Sequence, residues 1–187
     1  MDYKNKIADY LKSEIEVIKS LDVDAINSIM NAIKEAQERG NHIYICGNGG
    51  SAATASHFCC DFNKGVSGDS DKNTNFICLS DNTPTITAIA NDMSYDDIFS
   101  YQLASRMKPG DLLFVISGSG NSKNIVKAMN VAKEKGNKII GLCGYNGGKV
   151  KEMSDYCLHV NVNNMQIVED LHMVLDHCMM YILAYCL

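Results

Sequence analysis

Proline is nearly missing from this 187-residue chain: Pro84 and Pro109 are the only two, and no low-complexity segment interrupts the sequence. Long disordered stretches are therefore not expected. None of the eight cysteines forms a C-x-x-C pair, which disfavours a zinc ribbon or a thioredoxin-like redox motif. No apolar run approaches the roughly 20 residues that span a bilayer. The opening MDYKNKIADYLKSEIEV is charged and amphipathic, unlike a secretory leader. Basic residues are scattered among the acids, and the net charge is −5, so a direct nucleic-acid surface is not expected. These absences point to a cytoplasmic protein, away from membranes, whose anionic partners are small molecules held by local geometry.

What is present is a core. Hydrophobic residues make up 46% of the chain and charged residues 21%, the balance of an ordinary globular protein. Residues 1–187 read as one domain, with 1–40 as a helical extension. Ile7, Leu11, Ile15, Ile18 and Leu21 recur at helical spacing. A second helix follows, with Asp24 as its cap, Ile26, Ile29, Met30 and Ile33 on one face, and Gly40 as its stop. Short apolar strands then alternate with helices. The strands are Ile43–Cys46, Phe76–Ser80, Asp111–Ser117, Lys138–Gly144 and Cys157–Val162. Between them lie helices at Ala52–Phe62, in TPTITAIAND, at Lys123–Lys135 and at Lys149–Ser154, and a last one runs from Ile167 to Leu187. The last is apolar on most faces, as in a buried helix packed against another subunit. Cys46, Cys78 and Cys143 fall inside strands and read as small buried hydrophobes. This alternation predicts an α/β three-layer αβα sandwich around a five-stranded parallel sheet.

In such sheets ligands sit beyond the carboxyl ends of the strands. Two glycine- and hydroxyl-rich turns fall there, Gly47-Asn48-Gly49-Gly50-Ser51 and Ser117-Gly118-Ser119-Gly120-Asn121-Ser122. Backbone amides and a helix N-terminus attract a phosphate, and serine hydroxyls add donors. One such turn is equally well an ordinary Gly/Ser loop with a serine N-cap. Two at equivalent strand ends favour binding. Neither has the G-x-G-x-x-G spacing of a dinucleotide site or the lysine of a P-loop.

At these residues the chain resembles the sugar isomerase (SIS) domain family, and within it the phosphoheptose isomerases. The matching stretches are GNGGSAATASHF, AIAND, ISGSGNSKNI, GYNGGK and EDLHMVLDH, which together span nearly the whole chain. The resemblance implies an aldose–ketose isomerase converting sedoheptulose 7-phosphate to a heptose 7-phosphate for lipopolysaccharide or capsule. It also implies a homotetramer with active sites at subunit interfaces, on which residues 1–40 pack. Substrate contacts fall on Asn48, Gly49, Gly50, Ser51, Asn91, Asp92, Ser117, Gly118, Ser119, Ser122 and Glu169. A zinc ion is implied on His57, Asp61, Glu169 and His177, with Asp61 as the proton-shuttling base and His177 as its partner.

Read by spacing alone, His57 and Asp61 are four apart and share a helix face. Glu169 and His177 lie about 80° apart around the last helix. Two helices each presenting a carboxylate and an imidazole suit zinc or acid–base chemistry. His172 is the weaker candidate, and His42 and His159 read as structural or exposed. The chain departs from the family in having Asp61 for glutamate, Glu169 for glutamine and Gly65 for arginine. Those departures leave a second reading open: a non-catalytic phosphosugar-binding or protein-adaptor member.

Overall fold

The computed structural model describes residues 1–66 and 74–186. Two helices open the chain, α1 (Lys4–Lys19) and α2 (Val23–Arg39). The cap of α2 is Asp22, not Asp24: its carboxylate accepts from the Ala25 amide at 3.0 Å, while Asp24 lies in the first turn. Both aspartates suit a helix start, and the position with extended backbone takes the role. Gly40 ends α2 in the left-handed conformation, at φ 70°.

There follow β1 (His42–Gly47), α3 (Gly50–Cys60), β2 (Asn75–Cys78) and α4 (Thr83–Asp92). Next come α5 (Ser100–Arg106), β3 (Leu112–Ser117), α6 (Lys123–Glu134) and β4 (Lys138–Cys143). The chain closes with α7 (Gly148–Met153), β5 (Tyr156–His159) and α8 (Met165–Tyr185). Leu187, the expected end of the last helix, lies outside the described residues. Three features were not anticipated: α5 itself, a π-helical segment at Asp61–Val66 directly after α3, and a 3₁₀ turn at Tyr95–Asp97 before α5. The fifth strand stops at His159, short of the expected Val162.

The five strands form one parallel sheet in the order β2-β1-β3-β4-β5. Alternate residues feed opposite layers. In β1, Ile43 and Ile45 join a core with Ile29 and Ile33 of α2, Phe58 of α3 and Leu175 and Met179 of α8. Tyr44 and Cys46 face the other way, onto Ile89 of α4, Leu103 of α5 and Ile125, Ala128 and Met129 of α6. All six residues of β3 are buried, as a central parallel strand covered on both faces requires. The first layer is pinned by aromatic pairs, with Phe58 edge-on to Phe114 at 5.1 Å and Phe62 against Phe76 at 4.8 Å. Such pairs contribute about 0.5–1.5 kcal/mol each beyond burial.

At the β2 edge, Asn63 of the π segment takes the place of a neighbouring strand. Its side chain receives the Phe76 amide and donates to the Phe76 carbonyl, both at 2.9 Å.

Strand order reverses between β1 and β3, since the chain passes from β1 outward to β2 and returns on the far side of β1. The turns after β1 and β3 therefore flank the crevice where such sheets bind ligands.

Candidate active site

The two turns open on a cavity of about 180 Å³ lined by Asn48, Ser51, Ser117, Gly118, Ser119, Ser122, Met165 and Glu169, with Ile116 at its floor. Neither adjoining helix has a side-chain cap. The N-cap of α3 is Gly49, and Ser122 occupies the N-cap of α6 without hydrogen-bonding the helix. The ordinary-turn reading required Ser122 to cap. The Asn124 side chain takes the Ile125 amide at 2.9 Å, and the Ser122 hydroxyl with the Lys123 and Asn124 amides is left for an anion.

Glycine is required where the loops touch. Gly120 sits at φ 66°, and a Cβ there would lie 2.0 Å from the carbonyl oxygen of Gly147. The Gly118 carbonyl accepts from Gly144 at 2.9 Å, and that of Gly120 accepts from Val150 at 3.0 Å. The serine turn is thus interlocked with the GYNGGK turn, backbone to backbone.

Asn48 is held in one orientation. Its amide oxygen accepts from Asn124 at 2.8 Å and from the Tyr95 hydroxyl at 2.9 Å, and its nitrogen donates to Asn124 at 2.9 Å. One N–H of the amide remains for a ligand. Asn91 and Asp92 do not line this cavity; they are exposed at the end of α4 and hydrogen-bonded to each other at 2.8 Å.

A second constellation lies further along α3 and α8. The two helices run side by side in the same direction, because Gly50 meets Glu169 near their starts and His57 meets His177 further on. The ligand atoms of His57, Asp61, Asp176 and His177 all fall within 4.8 Å of one another. The two Nε2 atoms are 3.1 Å apart, and His57 Nε2 lies 3.5 Å from Asp61 and 3.8 Å from Asp176. Two nitrogens bound tetrahedrally to zinc at about 2.0–2.1 Å would be about 3.3 Å apart, so the donor set fits such an ion.

Three of the four expected ligands therefore meet, with Asp176 as the fourth member of the group, and Glu169 is not among them. Seven residues separate those two on α8, which puts them on one helix face roughly 10 Å apart along the axis. Asp176 is fully buried, and neither carboxylate oxygen has a hydrogen-bond partner among the described residues. Burial, and secondarily the charge of Asp61, pushes its pKa up to about 8. A buried carboxylate without a donor is costly unless it is protonated or meets a cation. A signal for it existed in the sequence: one aspartate inside the apolar run around His177 calls for a partner.

Burial drives His172 down to about 4, with the backbone of Cys143 partly opposing, so it is neutral. His159 meets the Tyr145 carbonyl at 2.8 Å. The Cys59 thiol is pushed up by its hydrogen bond with Cys78 and by burial, away from nucleophilic character.

The SIS domain family model matches residues 2–144. A probable phosphoheptose isomerase of Thermoplasma acidophilum is 38% identical over 168 residues, covering 90% of this chain and 92% of that protein. A phosphoheptose isomerase of Rhodospirillum rubrum is 37% identical, with 82% and 81% covered. Among solved structures, the phosphoheptose isomerase of Neisseria gonorrhoeae superposes with a TM-score of 0.89 at 29% identity, over 97% of this chain and 98% of that one.

Proposed function

This chain belongs to the SIS domain family, and on that premise we propose that it is an aldose–ketose isomerase of phosphorylated sugars, most simply of sedoheptulose 7-phosphate. Relatives bearing the phosphoheptose isomerase name cover most of its length. The observation that carries the reading is the cavity at the strand-order reversal, where Ser122 and two uncapped helix N-termini converge. Ser117, Gly118, Ser119 and Ser122 hold the phosphate, and Ser51 with the Gly49 and Gly50 backbone closes the cradle. Asn48 gives its remaining N–H to a sugar oxygen. Asn91 and Asp92 contribute where a neighbouring subunit's crevice meets them.

His57, Asp61, Asp176 and His177 would hold a zinc ion. Such an ion supplies positive charge that polarises a carbonyl oxygen. Asp61 would lend one carboxylate oxygen to such an ion and keep the second for the proton shuttle expected of it, with His177 as its partner. The adaptor reading has no observation in its favour, since a scaffold has no use for a buried aspartate without a hydrogen-bond donor beside two histidines. The eight cysteines are all free, which supports a reducing, cytoplasmic setting.

Purified protein given sedoheptulose 7-phosphate is expected to form the aldose, faster with zinc than with a chelator. An assay that traps the aldehyde would follow it. Absence of turnover in both conditions would overturn the reading.

The helical extension supports a homotetramer. No residue of α1 is buried. Tyr10 and Val17 lean on the Val168 and Leu171 cluster of α8, while Ile7, Leu11 and Ile15 are each at least 50% exposed along an adjoining stripe. Covering such a side chain is worth roughly 1.5–3 kcal/mol, enough in number to hold copies together. Light scattering after size exclusion is expected to give four chains for the native protein and fewer for the double variant L11D/I15D. A monomeric native protein at tens of micromolar would refute the assembly.

A further inference from the structure

Cys143 ends β4, Cys157 lies in β5, and their sulfurs are 3.7 Å apart. Both belong to the layer that holds Val150 and Met153 of α7. Cys143 is buried, while Cys157 is partly exposed. Among the described residues neither belongs to a group of three or more metal-ligating side chains, so a shared ion does not account for the contact. The two thiols are not equivalent. The hydrogen bond with Cys143 lowers the Cys157 thiol below its usual range; burial opposes and the Lys151 charge assists. The same bond, and then burial, pushes the Cys143 thiol up. One sulfur is thus set up as an attacking thiolate and the other as the thiol that follows it. The hydrogen-bonded pair Cys59 and Cys78 differs, because the charge acting on Cys59 from outside the pair is that of Asp81, which raises it further.

We infer that Cys143 and Cys157 form a reversible disulfide on exposure to hydrogen peroxide, and that this bond loosens the phosphate cradle. The second half rests on the phosphosugar reading and adds a control to it. The Cys157 thiolate attacks one peroxide oxygen; the O–O bond breaks, a sulfenic acid forms, and the departing hydroxide takes up a proton. The Cys143 sulfur then attacks the Cys157 sulfur. The S–S bond forms, the S–O bond breaks, and the Cys143 proton leaves with the hydroxyl as water. Two thiols and one peroxide give one disulfide and two waters, sulfur being oxidised and peroxide reduced.

The coupling to the cradle is geometric. A disulfide bond is about 2.05 Å long, so the sulfurs must close by about 1.6 Å. They stand on offset rungs, with Cys157 paired to Gly141 and Cys143 paired to His159. Strand geometry puts the two Cα atoms about 8 Å apart, beyond the roughly 7 Å that a disulfide spans without backbone movement. A strand end therefore has to shift, and β5, an edge strand of four residues, is the freer of the two. Its attachments lead to the phosphate turn. The Cys143 carbonyl accepts from Val160 at 2.8 Å, and Gly144, the next residue, donates to the Gly118 carbonyl at 2.9 Å. His159 meets the Tyr145 carbonyl at 2.8 Å. Movement of β5 toward Cys143 pulls on all three bonds.

The test uses the full-length reduced protein, treated with hydrogen peroxide in stages and then with dithiothreitol. Alkylation and peptide mass mapping are expected to join the peptides of Cys143 and Cys157 before any bond between Cys59 and Cys78 appears. Cys143→Ser, which lacks the second thiol, is expected to hold a sulfenic acid on Cys157 that dimedone traps. Cys157→Ser is expected to leave Cys143 a free thiol. In calorimetric titration with sedoheptulose 7-phosphate, the oxidised protein is expected to bind on the order of tenfold to a hundredfold more weakly, and dithiothreitol to restore the affinity. Peroxide that leaves both thiols free in the unaltered protein would overturn the inference, whether or not the variants fold. A Cys143–Cys157 bond with unchanged affinity, or a loss of affinity that persists in Cys157→Ser, would overturn the link to the cradle. If the reduced protein binds no sedoheptulose 7-phosphate, the phosphosugar reading falls and the loosened cradle with it, while the disulfide stands or falls by the mapping.

Discussion

Gly120→Ala is expected to abolish useful sugar-phosphate binding, lowering affinity on the order of a hundredfold, the loss typical of a misplacement of about 1 Å in a site. Two effects add. A left-handed backbone costs a non-glycine residue about 1–2 kcal/mol, and Gly120 has φ 66°. The new methyl would also meet the Gly147 carbonyl oxygen at 2.0 Å. That obstacle is main chain, so relief requires moving a turn and not a rotamer. Because Gly120 and Gly118 also accept hydrogen bonds from Val150 and Gly144, the shift would spread through both turns. Calorimetric titration with sedoheptulose 7-phosphate, with a urea melt in parallel, checks the prediction. Native affinity in the variant would show that the cradle lies elsewhere.

Asp176 gives the second large effect. In metal-free protein its folded-state pKa is raised from 3.8 to about 8 by burial and by Asp61. The folded state then holds the proton more tightly than the unfolded chain does. The Asp176 contribution to the stability of the chelated protein is therefore greatest at the acid end, falls as pH climbs from about 4 to about 8, and levels off beyond. Zinc requires the ionised carboxylate, so its contribution grows over the same interval. An ion at one hundred times its Kd adds about 2.7 kcal/mol, or roughly 5–10 °C in Tm for a chain of this size. Thermal melts from pH 5.5 to 8, with chelator and with zinc, are expected to diverge as pH rises. In Asp176→Asn the divergence should shrink and the slope of the chelated protein flatten. A zinc-independent Tm across the range would remove the metal from the account.

Much of the fold was legible because parallel strands buried on both faces are unmistakable apolar runs. Ile43–Cys46 and Leu112–Ser117 are such runs, and in the structure they are fully or nearly buried. The Gly40 stop was equally plain, since only a residue free to enter the left-handed region ends α2 there. What escaped detection depends on tertiary context. Ser100–Arg106 makes two helical turns with too few residues to establish a period, and it folds because Phe99 and Leu103 pack on α6 and the sheet. Nothing local announces a π-helix at Asp61–Val66, whose geometry follows from its packing against α8. The site was legible as loops, histidines and Asp61, while Asp176 was not singled out. Helical spacing placed Glu169 and His177 near each other in angle; which carboxylate reaches the imidazoles depends on how far α8 slides along α3. The hydrogen bonds of Asn124 and Tyr95 to Asn48 join residues 76 and 47 positions apart, a distance no local pattern encodes.

The Asn63 side chain that pairs with Phe76 bears on behaviour at high concentration. An unprotected rim of β-structure offers free amides and carbonyls to any passing chain and so templates fibril growth. Here the outward-facing groups of Phe76 are already satisfied by an amide that mimics one rung of backbone and cannot propagate a second. The molecule carries its own terminator at that margin, a guard against strand-to-strand growth there set within the π turn that begins at Asp61.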